Sequence, residues 1–113
     1  MKTKEEILGL SDENIIPIEI PEWDTSMFIR RLTGAEVSRL RGLGVSKKEA
    51  TYIMAATCCA GLCNEDGSPV FTFADAAALE KKSYAVIDFI STEILIHSKC
   101  MERPTQGEGE EKN

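Results

Sequence analysis

The chain has 113 residues, 42% of them hydrophobic and 28% charged, which suits one small globular domain with a modest core. A formal net charge of -6 and an isoelectric point near 4.8 speak against duplex nucleic acid as a partner, because the phosphate backbone favours Lys and Arg. No apolar run is long enough to span a bilayer, and the charged opening Met1-Lys2-Thr3-Lys4-Glu5-Glu6 lacks the apolar core of a secretory signal, so a cytoplasmic protein with four reduced cysteines and no membrane partner is expected.

Residues 1–14 read as a short helical or frayed lead-in whose anchors are Ile7, Leu8 and Leu10. A β-hairpin follows over 15–32. Ile15, Ile16, Ile18 and Ile20 are β-branched and partly alternating, and Pro17 cannot donate to a ladder, which marks an edge strand. Pro21-Glu22-Trp23-Asp24-Thr25 reads as the turn and Ser26 to Leu32 as the return strand. A hairpin alone is barely stable in water, so it must lie on helices or pair with another chain.

Thr33-Gly34-Ala35-Glu36 has the form of a capping box and starts a helix over about 34–42, with Val37, Leu40 and Leu43 as its stripe and Gly42 and Gly44 closing it. Ser46-Lys47-Lys48-Glu49 predicts a second capping box and a helix over about 47–62, with Tyr52, Ile53, Ala56, Cys59, Ala60 and Cys63 at helical spacing. Its later half is Ala, Cys and Gly, small enough for another backbone to come close, which predicts a central helix. Asn64-Glu65-Asp66-Gly67 breaks it. Phe71 and Phe73 are anchors beside the turn, and Thr72 is placed to cap a short helix over about 73–80. Ser83 is placed to cap the last helix, about 84–100, whose Val86, Ile87, Phe89, Ile90, Ile94, Leu95 and Ile96 make a face wider than one neighbour covers. Residues 102–113 contain no large apolar side chain and are expected to be a disordered tail. The fold class is therefore mainly α with a small N-terminal β-hairpin (α+β): one domain over 15–101 with about four helices.

No catalytic set emerges. Nucleophilic catalysis needs a thiolate or hydroxyl beside an oriented base, and the one histidine, His97, sits near the end of an apolar helix. Cys59 and Cys63 are four apart on one helix face, and His97 and Cys100 are three apart on another. Were the two faces to meet, these four would form a zinc set, but no Cys-x-x-Cys knuckle is present and cysteines among Ala and Gly are expected to act as small hydrophobes. No cofactor is expected. Glu65, Asp66 and Asp75 lack calcium-loop spacing.

Charge is uneven: residues 30–48 carry Arg30, Arg31, Arg39, Arg41, Lys47 and Lys48 against Glu36. A basic middle between acidic ends suggests a complementary partner or self-association. A helix-turn-helix-like nucleic-acid regulator is the alternative, with Gly42-Leu43-Gly44 as its turn; its second helix lacks Arg, Asn or Gln for base edges beyond the first turn. Large side chains expected at a partner interface are Trp23, Phe28, Tyr52, Phe71, Phe89, Ile90 and Ile94.

The order of these parts, with Leu32-Thr33, Glu36-Val37, Asn64-Glu65-Asp66-Gly67-Ser68-Pro69-Val70-Phe71, Asp75, Leu79 and Lys82-Ser83, resembles the tail assembly chaperones of long-tailed bacteriophages and prophages over about residues 15–100. The resemblance implies a non-enzymatic protein of the host bacterial cytoplasm. It would bind the apolar helical tape measure protein and keep it soluble until the tail tube polymerises, and be absent from the finished virion. It also implies a homo-oligomer, with the major tail tube protein and a frameshifted longer form of the chain as further partners.

Overall fold

The computed structural model describes residues 1–104, so most of the predicted tail, 105–113, lies outside the described residues. In chain order the elements are helix α1 (Lys4–Leu8), strands β1 (Ile16–Ile20) and β2 (Thr25–Ile29), helices α2 (Gly34–Val45) and α3 (Ala50–Gly61), strand β3 (Leu62–Cys63), and helices α4 (Ala76–Leu79) and α5 (Tyr84–His97). The class is α+β, as the sequence predicts, with five helices and a three-stranded antiparallel sheet of order β1-β2-β3 among the described residues.

The hairpin pairs Ile16 with Ile29, Ile18 with Met27 and Ile20 with Thr25. Side chains alternate across a strand, so Ile16, Ile18, Ile20, Met27 and Ile29 share one face and turn it to the helices; Ile20 and Ile29 are buried. The other face carries Pro17 and Glu19, and the Ser26 hydroxyl donates to Glu19 Oε2 across the strands at 2.6 Å. Between the strands, Pro21–Trp23 makes a 3-10 turn, and Asp24 follows in the left-handed region (φ 52°) with its amide donating to the Pro21 carbonyl. Pro17 lies on an edge strand, where its missing N–H is tolerated.

The capping box at Thr33 forms as written: the Glu36 amide donates to Thr33 Oγ1 at 3.1 Å and the Thr33 amide donates to Glu36 Oε1 at 2.9 Å. The second predicted box does not. Gly42 and Gly44 lie inside α2, which runs on to Val45, and Ser46 closes that helix instead of opening the next. Its hydroxyl donates back to the Leu43 carbonyl at 3.0 Å. Lys47 then adopts φ 63°, and α3 starts at Ala50 behind Glu49, which gives no side-chain cap. A serine two residues past a glycine competes for either helix end, and the backbone bonds of α2 prevail. The predicted helix over 73–80 is a 3-10 turn, Phe73–Asp75, leading into α4; the Thr72 amide donates to Asp75 Oδ2 at 2.9 Å. Ser83 holds the N-cap position of α5 without a side-chain bond, and α5 ends at His97 rather than near 100. There the Lys99 backbone turns left-handed (φ 66°), and the Cys100 amide donates to the Leu95 carbonyl at 2.8 Å, closing the helix.

Helix α3 is central, and every residue from Ala55 to Gly61 is buried. The helix predicted to run to about 62 ends at Gly61: Leu62 and Cys63, the latter read at helical spacing, pair with Ile29 and Phe28 as β3, so the fully buried Leu62 joins the inner face of the sheet. Two residues are too short a strand for alternation to announce. Ile90 and Ile94 are both fully buried, together with Val86 and Ile87 on the same stripe of α5. They belong to this chain's own core, which corrects the expectation that placed them at a partner interface: α3 has side chains small enough for α5 to sink its full apolar stripe against it.

The lead-in is also corrected. It does form a helix with a closed capping box at Thr3 and Glu6, yet Ile7, Leu8 and Leu10 are exposed rather than anchoring.

One ion pair joins three segments. Arg30 Nη1 donates to Glu36 Oε1 at 3.0 Å, Nη2 pairs with Glu36 Oε2, and Nε lies 3.8 Å from Glu13 Oε2. Their side chains are only 13% and 21% exposed for Arg30 and Glu36. Burial alone would raise the Glu36 carboxyl; the hydrogen bonds from Arg30 and Thr33 and the charge of Arg30 outweigh it and hold the group below its ordinary 4.5. The unfolded chain therefore takes up this proton first as pH falls, and stability is lost as pH drops from about 4.5 through the lower folded value. Glu36→Gln should flatten that part of the acid limb of a stability–pH curve, while Arg30→Ala should cost about 1–3 kcal/mol at neutral pH in urea denaturation. A second expectation concerns Gly61, where an added Cβ would lie 2.6 Å from Ile94 Cδ1 and Cγ2. Gly61→Ala should cost about 1–3 kcal/mol, and a double-mutant cycle with Ile94→Val should recover part of it. Equal cost in both backgrounds would show that Ile94 is not what the methyl meets.

Candidate functional site

Of the side chains expected at an interface and not absorbed by the core, two converge. The 3-10 turn after β1 delivers Trp23, and the irregular segment after the Asn64–Ser68 turn delivers Phe71. Together with Asp75, Ala78, Leu79 and Lys82 they line an apolar groove of about 300 Å³. The last four recur at intervals of three and four residues, the spacing that places side chains on one helical face. The turn that feeds this site is internally satisfied: the Asn64 amide donates to the Ser68 carbonyl at 2.8 Å, the Gly67 amide to the Asn64 carbonyl at 2.9 Å, and the Ser68 amide and hydroxyl to Asp66 Oδ1. Those bonds from Ser68 hold the Asp66 carboxyl below its ordinary range. Gly67 takes φ 91°, a conformation that L side chains rarely adopt.

A second groove, about 320 Å³, opens between α2, α3 and α5, where Leu32, Val37, Ile53 and Leu95 form its apolar walls and Arg41 and Cys100 also line it. A third, about 440 Å³, runs beside β2 and includes Phe28, Met27, Cys63 and Val70. It exists because β3 pairs only with Phe28 and Ile29, leaving Thr25 to Met27 without a strand partner on that side. Tyr52 is half-buried with the Lys48 ammonium 5.3 Å from its ring centre, and Phe89 is exposed on α5, as is Tyr84. The structure thus places Trp23 and Phe71 in one groove, Phe28 in another, and Tyr52 and Phe89 apart from both. Sequence reasoning missed Asp75, Ala78, Leu79 and Lys82 as groove residues; their three- and four-residue spacing was the available signal.

The basic residues are mostly committed within the chain. Arg30 is paired with Glu36, Arg31 Nε donates to the His97 carbonyl at 3.0 Å, and Arg39 stacks 3.9 Å above the Phe73 ring. The expected helix-turn-helix joint at Gly42-Leu43-Gly44 is helical backbone of α2, which corrects that alternative at its central feature.

Nor are the candidate zinc ligands gathered. Among the described residues no group of three or more His, Cys, Asp or Glu side chains is placed to hold a metal ion. Cys59 lies in α3 and Cys63 in β3, His97 Nε2 donates to the Asn14 carbonyl, and Cys100 is exposed. Burial pushes the Cys58 thiol up to about 12 and the Cys59 thiol up to about 11, with the Asp75 charge adding to the second, and raises Cys63 as well. Cys58 Sγ faces the Ile87 carbonyl at 3.6 Å. These three are core residues with little thiolate.

The geometry defines a small α+β helical domain with apolar surface grooves. No protein-family model matches the chain, and no curated protein does. Among solved structures it is similar to the tail assembly chaperone of bacteriophage HK97, with a TM-score of 0.66 at 12% sequence identity over 89% of this chain and 95% of that one. The chain therefore has the fold of a phage tail assembly chaperone, the family that its sequence resembles.

In the folded protein a maleimide should label one thiol, Cys100, at a rate typical of an exposed cysteine, and Cys58, Cys59 and Cys63 only in denaturant. Mass spectrometry reads the count; rapid labelling of Cys58 under native conditions would contradict the burial described.

Proposed function

We propose that this chain is a tail assembly chaperone of a long-tailed bacteriophage or prophage. It binds the tape measure protein and keeps it soluble during tail assembly, without catalysing a reaction. The observation that carries this reading is the shared fold with the HK97 tail assembly chaperone over nearly the full length of both chains. The surface agrees with it. A holdase needs apolar recesses that accept a helix, and the groove walled by Leu32, Val37, Ile53 and Leu95 is suited to an amphipathic helix presenting residues at three- and four-residue spacing. The chain works in the host bacterial cytoplasm and leaves before the virion is complete; no helix among the described residues is long and apolar enough to cross a membrane. Its partners besides the tape measure protein are further copies of itself, the major tail tube protein and a frameshifted longer form.

Co-expression with the tape measure protein of the same phage, followed by pull-down and size-exclusion light scattering, tests the reading. A soluble, salt-resistant complex with many copies per tape measure chain is the expected result. Val37→Lys, at the half-buried wall of the groove, should lower the recovered tape measure protein about tenfold, the equivalent of ~1.4 kcal/mol, while the helical circular dichroism is retained. A tape measure protein that stays insoluble beside a freely eluting wild-type chain would overturn the proposal.

A further inference from the structure

The groove between α2, α3 and α5 is lined by one cation and no anion. Its walls are aliphatic apart from Arg41, Thr57 and Cys100, and no carboxylate faces it. Two of those three are satisfied within the chain. The Thr57 hydroxyl donates to the Ile53 carbonyl at 2.9 Å, and the Cys100 amide donates to the Leu95 carbonyl at 2.8 Å. Leu32, Val37, Ile53 and Leu95 are each only half-buried, so the walls are partly covered by the chain itself.

Arg41 differs from the other arginines near it. Arg30 pairs with Glu36, Arg31 holds the His97 carbonyl, and Arg39 lies over the Phe73 ring. Among the described residues the ion pairs are those of Arg30 and Arg103, and Arg41 has none. Arg39 and Arg41 are two apart, which turns them roughly 200° from each other around α2. One therefore serves Phe73 and the other the groove. Arg41 is exposed yet lines the groove, as a long side chain does when its stem follows an apolar wall and its head reaches water.

We propose that this groove selects an amphipathic helix that carries Asp or Glu three or four residues from the apolar side chain packed on Val37, and that Arg41 is the residue that reads the acid. That the helix comes from the tape measure protein rests on the proposed function; that it carries the acid rests on Arg41. The spacing follows from α2. Val37 and Arg41 are four apart and stack on one face, about 6 Å along the axis. A helix crossing α2 at roughly 20–50° covers that length in about three or four of its own residues.

A carboxylate suits Arg41 better than the other groups a helix could offer. Its full charge and two oxygens match the guanidinium fork, whereas a helix C-terminus brings only about half a charge. A lysine there would set like charges together beside an apolar wall. Aliphatic contact is non-directional, so the walls alone would let a helix slip by a turn. The charged pair fixes the register and rejects helices that lack the acid.

The test uses the co-expressed complex with p-benzoylphenylalanine in place of Cys100, an exposed position on the same groove. Irradiation and mass spectrometry identify the tape measure segment that cross-links, which should be an apolar helix with an acid at the stated spacing. Arg41→Glu should then lower the recovered tape measure protein about tenfold, as for one lost charge-assisted pair, and Arg41→Lys should lower it less. Changing the mapped acid to Lys should restore recovery with Arg41→Glu and reduce it with the wild type. Circular dichroism checks that each variant folds. A complex that forms without cross-linking from position 100, a cross-linked segment with no acid at that spacing, wild-type recovery by Arg41→Glu, or a charge swap that restores nothing would each overturn this inference and leave the chaperone reading standing. Failure of the wild-type chain to form any complex would overturn both.

Discussion

The rest of the fold depends on how closely α3 can be approached. From Ala55 to Gly61 its side chains are alanine, threonine, cysteine and glycine, and all are buried. That lets α5 lay Val86, Ile87, Ile90 and Ile94 against it, with Ile94 set where Gly61 has no side chain. The same thinness lets the sheet reach α3 from the hairpin side, and the chain leaves the helix directly into β3. The core is built from large aliphatics on the sheet and α5 meeting a slim central rod, a division that packs densely with few residues.

Around that core, polar contacts fix how the ends meet. Arg30 follows β2 directly, and its guanidinium gathers Glu36 from the first turn of α2 and Glu13 from the lead-in. Arg31 and Leu32 bind the C-terminal end of α5 through the His97 carbonyl and the Ser98 hydroxyl. Glu36 therefore serves two functions, as capping-box partner of Thr33 and as counterion of Arg30. These bonds place strand end, helix start and helix end together without a large hydrophobic contact between them. Arginine suits the position because its planar fork serves two carboxylates at once.

Much of this was legible in the residues, and the failures have physical reasons. Strong local chemistry read correctly: Pro17 on an edge, the Thr33–Glu36 box, the Asn64–Gly67 turn and the small-residue centre of α3. Where two local signals competed, tertiary context decided. Ser46 had the right residues after it for a cap, and the ladder of α2 took it as an end instead. Leu62 falls within the predicted helix and Cys63 fits its stripe, and only the free edge of β2 shows why they become a strand. For the candidate site, aromatic size pointed to Trp23 and Phe71, since groove walls and cores use the same side chains. The same reasoning misplaced Ile90 and Ile94, because a wide apolar face does not say how much of it a slender neighbour can cover. Ile7 and Leu8 were misread in the opposite direction, as anchors, for lack of any sequence signal that nothing packs on them.

The Asn64–Ser68 turn has a consequence for how such a chain can change over time. Its amide and carboxylate groups are used on one another, so it makes few demands on its surroundings, but its length sets the phase between β3 and α4 and thereby aims Phe71 at Trp23. Surface residues around it are free to drift toward new partners, whereas adding or removing one residue here would swing the groove wall out of line. The turn is a ruler, a fixed length of chain between β3 and the groove wall.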